Sequence, residues 1–307
     1  MKNSKSYVVC IGPVCWDEYY TAVSWPREGD KGIVDYTGRL AGGMIPNAAC
    51  VFAGYGVPTY LLDMLNKSAS SLELVGDLNR YGLDTSLIRY DESLPDAKCI
   101  IVRTPGDRTI LVVDSHKPTV HPDAAQLEVL RGAAYVYTTV SELQKFAHPL
   151  ELVRDLKAHG AQIVFDVESA TFSGRALELF GMADVLFFNE YGFAQFRGKK
   201  SEDDYFRELF ARGARVVTVT LGKKGSWTRT PTEEDRTGVI DFPVVDATGA
   251  GDTFNSSFVR CLMCGHDIHY AARFANAAAS LAVTRLGARG GVASAESIED
   301  AMKKYYR

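Results

Sequence analysis

The sequence predicts an α/β protein: a mostly parallel central sheet with helices on both faces, plus a small antiparallel structure beside it. Three observations carry this. A continuous apolar run at 7–11 and short, mainly apolar runs at 134–138, 162–167, 185–189 and 215–220 read as strands buried on both faces of a parallel sheet. Segments with helical spacing of apolar residues stand between them, and strand–helix alternation marks βαβ construction. Two further segments, 17–41 and 98–114, alternate apolar and polar residues, the pattern of a sheet with one wet face.

Each element follows in order. Strand 7–11 stops at Gly12-Pro13. The ribbon strands 17–23 and 32–40 are separated by Pro26, Gly29 and Gly32. Gly42-Gly43 opens a helix over 46–54, and strand 59–63 precedes a helix over 70–81. Segments 98–104 and 108–113 read as a hairpin closed by Pro105-Gly106-Asp107. Helices over 150–159, 174–180 and 203–213 accompany the later strands. The run 239–245 alternates like a strand and leads into a helix carrying Phe254, Phe258, Cys261 and Leu262, which ends at Gly265, where a capping glycine belongs. No linker interrupts this succession, so 1–307 is expected as one domain with the ribbons 17–41 and 98–114 inserted.

With 307 residues, 46% hydrophobic and 23% charged, the chain can bury a sizeable core without disulfides or a structural metal. A net charge of -4 offers no basic excess for a phosphate backbone, so nucleic acid is not an expected partner. No apolar run reaches transmembrane length, and a polar start leads directly into the first strand. The expectation is a cytoplasmic protein without a membrane partner. Six cysteines make no framework. Cys261 and Cys264 have C-x-x-C spacing but fall on one predicted helix with no second pair, and are read as core and helix end.

The chemistry concentrates at Asp246-Ala247-Thr248-Gly249-Ala250-Gly251-Asp252-Thr253-Phe254. Two glycines and an acid stand at a helix start, where free N–H groups and the helix dipole favour an anion. A carboxylate beside an anion cradle is repulsive unless it has chemistry to do. The economical reading is a base that takes a hydroxyl proton while the amides of Gly249, Ala250, Gly251 and Asp252 hold a phosphoryl group in transfer. A dinucleotide turn is excluded, because the third glycine of G-x-G-x-x-G would fall on Phe254.

This stretch closely resembles the second signature of the ribokinase-like (PfkB) carbohydrate kinases, Asp-Thr-x-Gly-Ala-Gly-Asp, with Ala247 replacing the usual Thr. The resemblance spans nearly the whole chain and implies a three-layer α/β/α fold whose β lid covers the sugar and often makes a homodimer contact. It implies ATP and Mg²⁺ as cofactors, with K⁺ in some members at positions matching Asp246 and Thr248. It also implies an acceptor site: Asp17 after the first strand, the first signature Gly42-Gly43-Met44-Ile45-Pro46-Asn47, and Glu142 beyond strand 134–138. The loop at Met44 lacks the Lys that ribokinases proper carry.

For the nucleotide, the resemblance implies Asn189, Thr220, Gly222, Gly225 and Asn276, with Asp166 in the outer shell of the magnesium. The family's Asn-x-x-Glu motif is broken here, since Gly192 stands where the Glu belongs, and Asn66 to Ser71 lacks the usual glycine and acid. Lys223 and Lys224 read as solvated, and so does Arg108 beside its turn. The implied activity is ATP-dependent phosphorylation of a small sugar or sugar acid. The alternatives are a nucleoside acceptor, or a degenerate protein that binds without turnover.

Overall fold

The computed structural model describes residues 6–106, 108–167, 175–290 and 292–306. The hairpin tip at Asp107 and the helix start expected at Gly174 lie outside them.

The chain enters through β1 (Val8–Ile11), then forms a ribbon from β2 (Cys15–Thr21) and β3 (Asp35–Gly42) before α1 (Met44–Gly54). Next come β4 (Thr59–Leu62), β5 (Met64–Leu65), α2 (Ala69–Arg80), β6 (Arg89–Tyr90), and the hairpin β7 (Lys98–Arg103) and β8 (Arg108–Val112). The middle of the chain supplies α3 (Ala124–Gly132), β9 (Tyr135–Thr138), α4 (Val140–Gln144), α5 (Pro149–Ala158), β10 (Gln162–Val167), α6 (Arg175–Phe180) and β11 (Val185–Asn189). The remainder runs α7 (Glu190–Arg197), α8 (Glu202–Ala211), β12 (Val216–Thr220), β13 (Ser226–Arg229), β14 (Glu234–Thr237), α9 (Ala250–Met263), α10 (Ile268–Ala282) and α11 (Ala295–Tyr305).

The main sheet has the order β14-β13-β12-β11-β10-β9-β1-β4. From β12 to β4 every pairing is parallel, and β13 and β14 add an antiparallel edge. Alternation along the strands sends side chains to two cores. Val8, Cys10, Tyr137, Val164 and Phe187 face α1, α9 and α10, where Phe52, Phe258 and Phe274 are fully buried. Val9, Ile11, Val136, Phe165 and Phe188 face α5 and α8 across Leu156 and Phe206. Apolar residues on both faces are why these strands read as mainly apolar runs rather than as alternating ones.

The expected ribbons pair into a second sheet of order β3-β2-β7-β8. Its hairpin contacts are antiparallel, but the central β2–β7 pairing is parallel. Leu40, Ile110, Leu111 and Val112 stay exposed on it.

Two expectations fail in the same region. Residues 239–245 form no strand. Pro243 has no N–H to give a ladder, and Val244 and Val245 are 59% and 62% exposed. The segment runs alongside α10 instead, where Val245 and Asp246 both donate N–H to the Val283 carbonyl. The strands that do occupy this edge, β13 and β14, were not expected. Their polar sequences SWTR and EDRT carry no strand-like apolar pattern.

Candidate active site

Asp252 stands in the first turn of α9, three residues after the Gly249 N-cap. Gly249 is left-handed, with φ 78°, and a Cβ there would sit 2.6 Å from the Ala288 Cα and carbonyl oxygen. Only glycine fits this turn without strain. It has no side chain to cap the helix, and no other side chain among the described residues does so. The Ala250 amide turns back to the Ala247 carbonyl at 3.3 Å, so it is not an open donor as expected. Among the described residues, the amides of Gly249, Gly251 and Asp252 make no hydrogen bond. These are the open donors at the positive end of the helix.

A chain of buried polar contacts aims the Asp252 carboxylate. Asn47, on α1, donates its Nδ2 to Asp252 Oδ2 at 2.9 Å. Its Oδ1 accepts from Arg289 Nε at 2.9 Å. Arg289 also donates to Asp77 Oδ2 on α2 at 2.7 Å and to the Gly42 carbonyl at 3.0 Å. A guanidinium has donors only. Arg289 therefore sets which way the Asn47 amide faces and presents its NH₂ to Asp252. Sequence reasoning missed Arg289 and Asp77. The available signal was a lone arginine in the glycine-rich run Gly287-Ala288-Arg289-Gly290-Gly291.

Burial pushes the Asp252 carboxyl up to about 7, and the nearby charge of Asp166 pushes the same way. The Asn47 hydrogen bond and Arg289 oppose them. Asp166 is the penultimate residue of β10, where its Oδ2 accepts from Tyr137 at 2.9 Å and from Asn255 Nδ2 at 2.8 Å. Asn255 Oδ1 is buried with no partner among the described residues.

Asp17 of β2, expected to bind the acceptor, lies diagonally across from Gly42 of β3, whose register partner is Cys15. A Cβ at Gly42 would lie 2.2 Å from Asp17 Oδ2, so the glycine makes room for the carboxylate. Burial raises the Asp17 carboxyl, against Cys15, Arg289 and Arg108. Gly43 is the N-cap of α1 and so leads into Asn47. Glu142 belongs to a different charged cluster. It bonds Lys145 at 2.6 Å and faces Asp63 and Lys117, and burial raises its carboxyl.

Asp246 ties the loop before α9. It accepts from the amide and hydroxyl of Thr248, at 2.9 and 2.7 Å, and from the Gly287 amide at 3.0 Å. Against the upward push of burial, these donors hold its carboxyl below the usual range. Its oxygens are thus occupied by the protein's own donors, and a monovalent cation at Asp246 and Thr248 gains no support. Arg108, expected to be solvated, is exposed, and from the second sheet it also donates to Thr248 Oγ1 at 3.3 Å.

The expected nucleotide residues have local tasks. Asn189 caps α7, its Oδ1 accepting the Gly192 amide at 2.6 Å. Thr220 Oγ1 bonds the Phe188 carbonyl at 3.3 Å. Gly222 opens a 3₁₀ turn, Gly222–Lys224, and Gly225 closes it before β13. Asn276 is 2% exposed and joins α10 to Ser226 at 2.8 Å. Lys224 is exposed and reaches Glu190 at 3.5 Å.

An uncapped helix start, two half-buried acids and a second sheet that reaches the loop before the helix make up the site. The sequence profile of the pfkB family carbohydrate kinases matches residues 5–295. The chain belongs to that family. Its members transfer a phosphoryl group to a hydroxyl, so this protein is a sugar or nucleoside kinase of the pfkB family. The chain is similar to the ATP-dependent ribose-1-phosphate kinase of Halopiger xanaduensis, with 26% identity over 92% of this chain and 93% of that one. Its fold matches the Arabidopsis thaliana ribokinase solved with ribose and ATP, with TM-score 0.84, 24% identity, and 97% and 99% of the two chains covered. It also matches a putative ribokinase II from E. coli solved with ATP and Mg²⁺, with TM-score 0.82, 21% identity, and 98% and 100% covered. These two likenesses establish the ribokinase fold, three-layered with a small second sheet.

Proposed function

We propose that this pfkB-family kinase transfers the γ-phosphoryl group of ATP to a hydroxyl of a small sugar or sugar acid, with Asp252 as the general base. The observation that carries the reading is a carboxyl pushed up to about 7 beside three open amides at one helix start. A base with a pKa near the working pH combines a large ionised fraction with useful proton affinity. Ionised Asp252 takes the proton of the acceptor hydroxyl. The Gly249, Gly251 and Asp252 amides donate to the oxygens of the transferring group, where negative charge builds. Asn47, held by Arg289, keeps the carboxylate aimed.

Asp17, Gly42 and Gly43 line the acceptor side. Arg108 reaches the anion loop from the second sheet, so this sheet is suited to shut water out of the site, as a lid does. Arg108 and the neighbouring Arg103 also give the lid cationic groups for a carboxylate or phosphate on the acceptor, which favours a charged sugar over a neutral one. Mg²⁺ fits the oxygen donors present: Asp166 and the unpartnered Asn255 Oδ1 would hold it, directly or through water. When bound, it supplies charge neutralisation on the phosphates. Gly192, in place of the family's Glu, leaves that task to these residues.

The test is ADP release from Mg-ATP across sugars, sugar acids, sugar phosphates and nucleosides. One strong acceptor, lost in Asp252→Asn, is the expected result. Nucleotide binding with no acceptor-dependent release across the whole panel would overturn the reading.

A further inference from the structure

Beside the acceptor carboxylate, the second sheet carries ligand atoms that phosphoryl transfer leaves unused. Cys15 and Asp17 lie two residues apart on β2, so their side chains leave the same face. The parallel register sets Cys99 of β7 directly opposite Asp17. Cys15 Sγ is 3.6 Å from Cys99 Sγ and 3.7 Å from Asp17 Oδ1. The three ligand atoms all lie within 4.8 Å of one another.

These separations match the edges of a zinc coordination tetrahedron. With Zn–S about 2.3 Å and Zn–O about 2.1 Å, tetrahedral angles place two sulfurs about 3.8 Å apart and a sulfur and oxygen about 3.6 Å apart. Two thiolates with one carboxylate suit a zinc-class ion and are a poor set for Mg²⁺, which prefers six oxygens. Cys261 and Cys264 offer no such site, since one is buried and the other exposed.

We propose that Cys15, Asp17 and Cys99 form a binding site for a zinc-class divalent cation, and that the bound ion withdraws Asp17 from the acceptor and inhibits the kinase. Binding releases the two thiol protons to solvent and changes no oxidation state. Three protein ligands leave the fourth position to water. The binding half stands on the geometry alone. The inhibitory half rests on the reading of Asp17 as an acceptor ligand.

The experiment uses the full chain, freed of metal and kept reduced with a phosphine. Titration with Co²⁺ should give one equivalent bound and a thiolate-to-cobalt charge-transfer band, displaced by Zn²⁺. Cys15→Ser and Cys99→Ser, each checked for native circular dichroism, should lose the band and bind at least about tenfold more weakly. No band in the native protein, or uptake unchanged in both variants, would overturn the site.

At buffered free Zn²⁺, the acceptor KM should rise about tenfold or more while the KM for ATP moves less than about twofold, and Cys99→Ser should blunt the rise. Metal uptake without that rise overturns the inhibitory half. Absence of turnover in metal-free protein across every acceptor counts against the kinase reading and leaves the cobalt result to decide the site.

Discussion

The starts of α7 and α9 make an instructive pair. Both carry an acid in the first turn and both have the same dipole. At α7 the N-cap is Asn189, whose side chain satisfies the Gly192 amide, and the acid Glu190 lies exposed beside Lys224. At α9 the N-cap is Gly249, which has no side chain to satisfy an amide, and the acid Asp252 is desolvated and held by Asn47. A helix start that caps itself has spent its donors on its own stability. A helix start without a cap leaves them for a ligand, at a cost of about 1 kcal/mol of stability per missing cap.

The largest expected effect breaks the contrast at its chemical centre. Asp252→Asn keeps the shape of the side chain and removes the base, so kcat should fall by roughly 10²–10⁴-fold. In the unaltered protein, kcat/KM should decline as pH drops below about 7, where Asp252 gains its proton. Stability carries the opposite sign. The folded state binds this proton more tightly than the unfolded chain does, so stability declines as pH rises from the ordinary carboxylate range through about 7. Asp252→Asn should therefore melt above the unaltered protein at alkaline pH, with the gap closing near pH 4. Unchanged turnover together with an unchanged pH profile would remove Asp252 from the mechanism.

A smaller effect is expected from giving α9 a side chain at its start. Gly249→Ala places a Cβ against Ala288 and strains a left-handed residue, for about 1–3 kcal/mol of stability. Turnover should fall with it, by about 10-fold or more, because the open amides shift. Urea denaturation and steady-state kinetics on one preparation separate the two losses. A stability loss with full activity would show that the amides need not be held so tightly.

The smallest effect belongs to α7. Asn189→Ala should cost about 1 kcal/mol, the value of an N-cap. The change in KM for ATP should be the least of the three variants. Collapse of nucleotide affinity at intact stability would instead favour the nucleotide role that the resemblance implies over the cap.

The parts of the site that were legible in the sequence are those whose chemistry is local. Gly249, Gly251 and Asp252 sit within one turn, and their spacing alone points to an anion beside an acid. The buried strands were legible because both faces are covered. By contrast, 239–245 alternated like a strand, yet Pro243 and its place beside α10 kept it out of the sheet. β13 and β14 joined the sheet with largely polar sequences, since an edge hairpin is held by its ladder and needs only one large apolar residue of its own, Trp227, in the core.

By itself, then, the sequence determined the α/β alternation, the ribbons and the glycine-acid turn, because each is written in neighbouring residues. The tertiary structure decided what those residues touch. It joined Asp77, Arg289, Asn47 and Asp252 from four separate stretches into one line of hydrogen bonds, and it brought Cys15 within 3.6 Å of Cys99 across 84 residues of chain. It also desolvated Asp252 enough to move its proton affinity. Burial, the orientation of an amide and the approach of two distant thiols depend on packing between elements, and no local pattern encodes them.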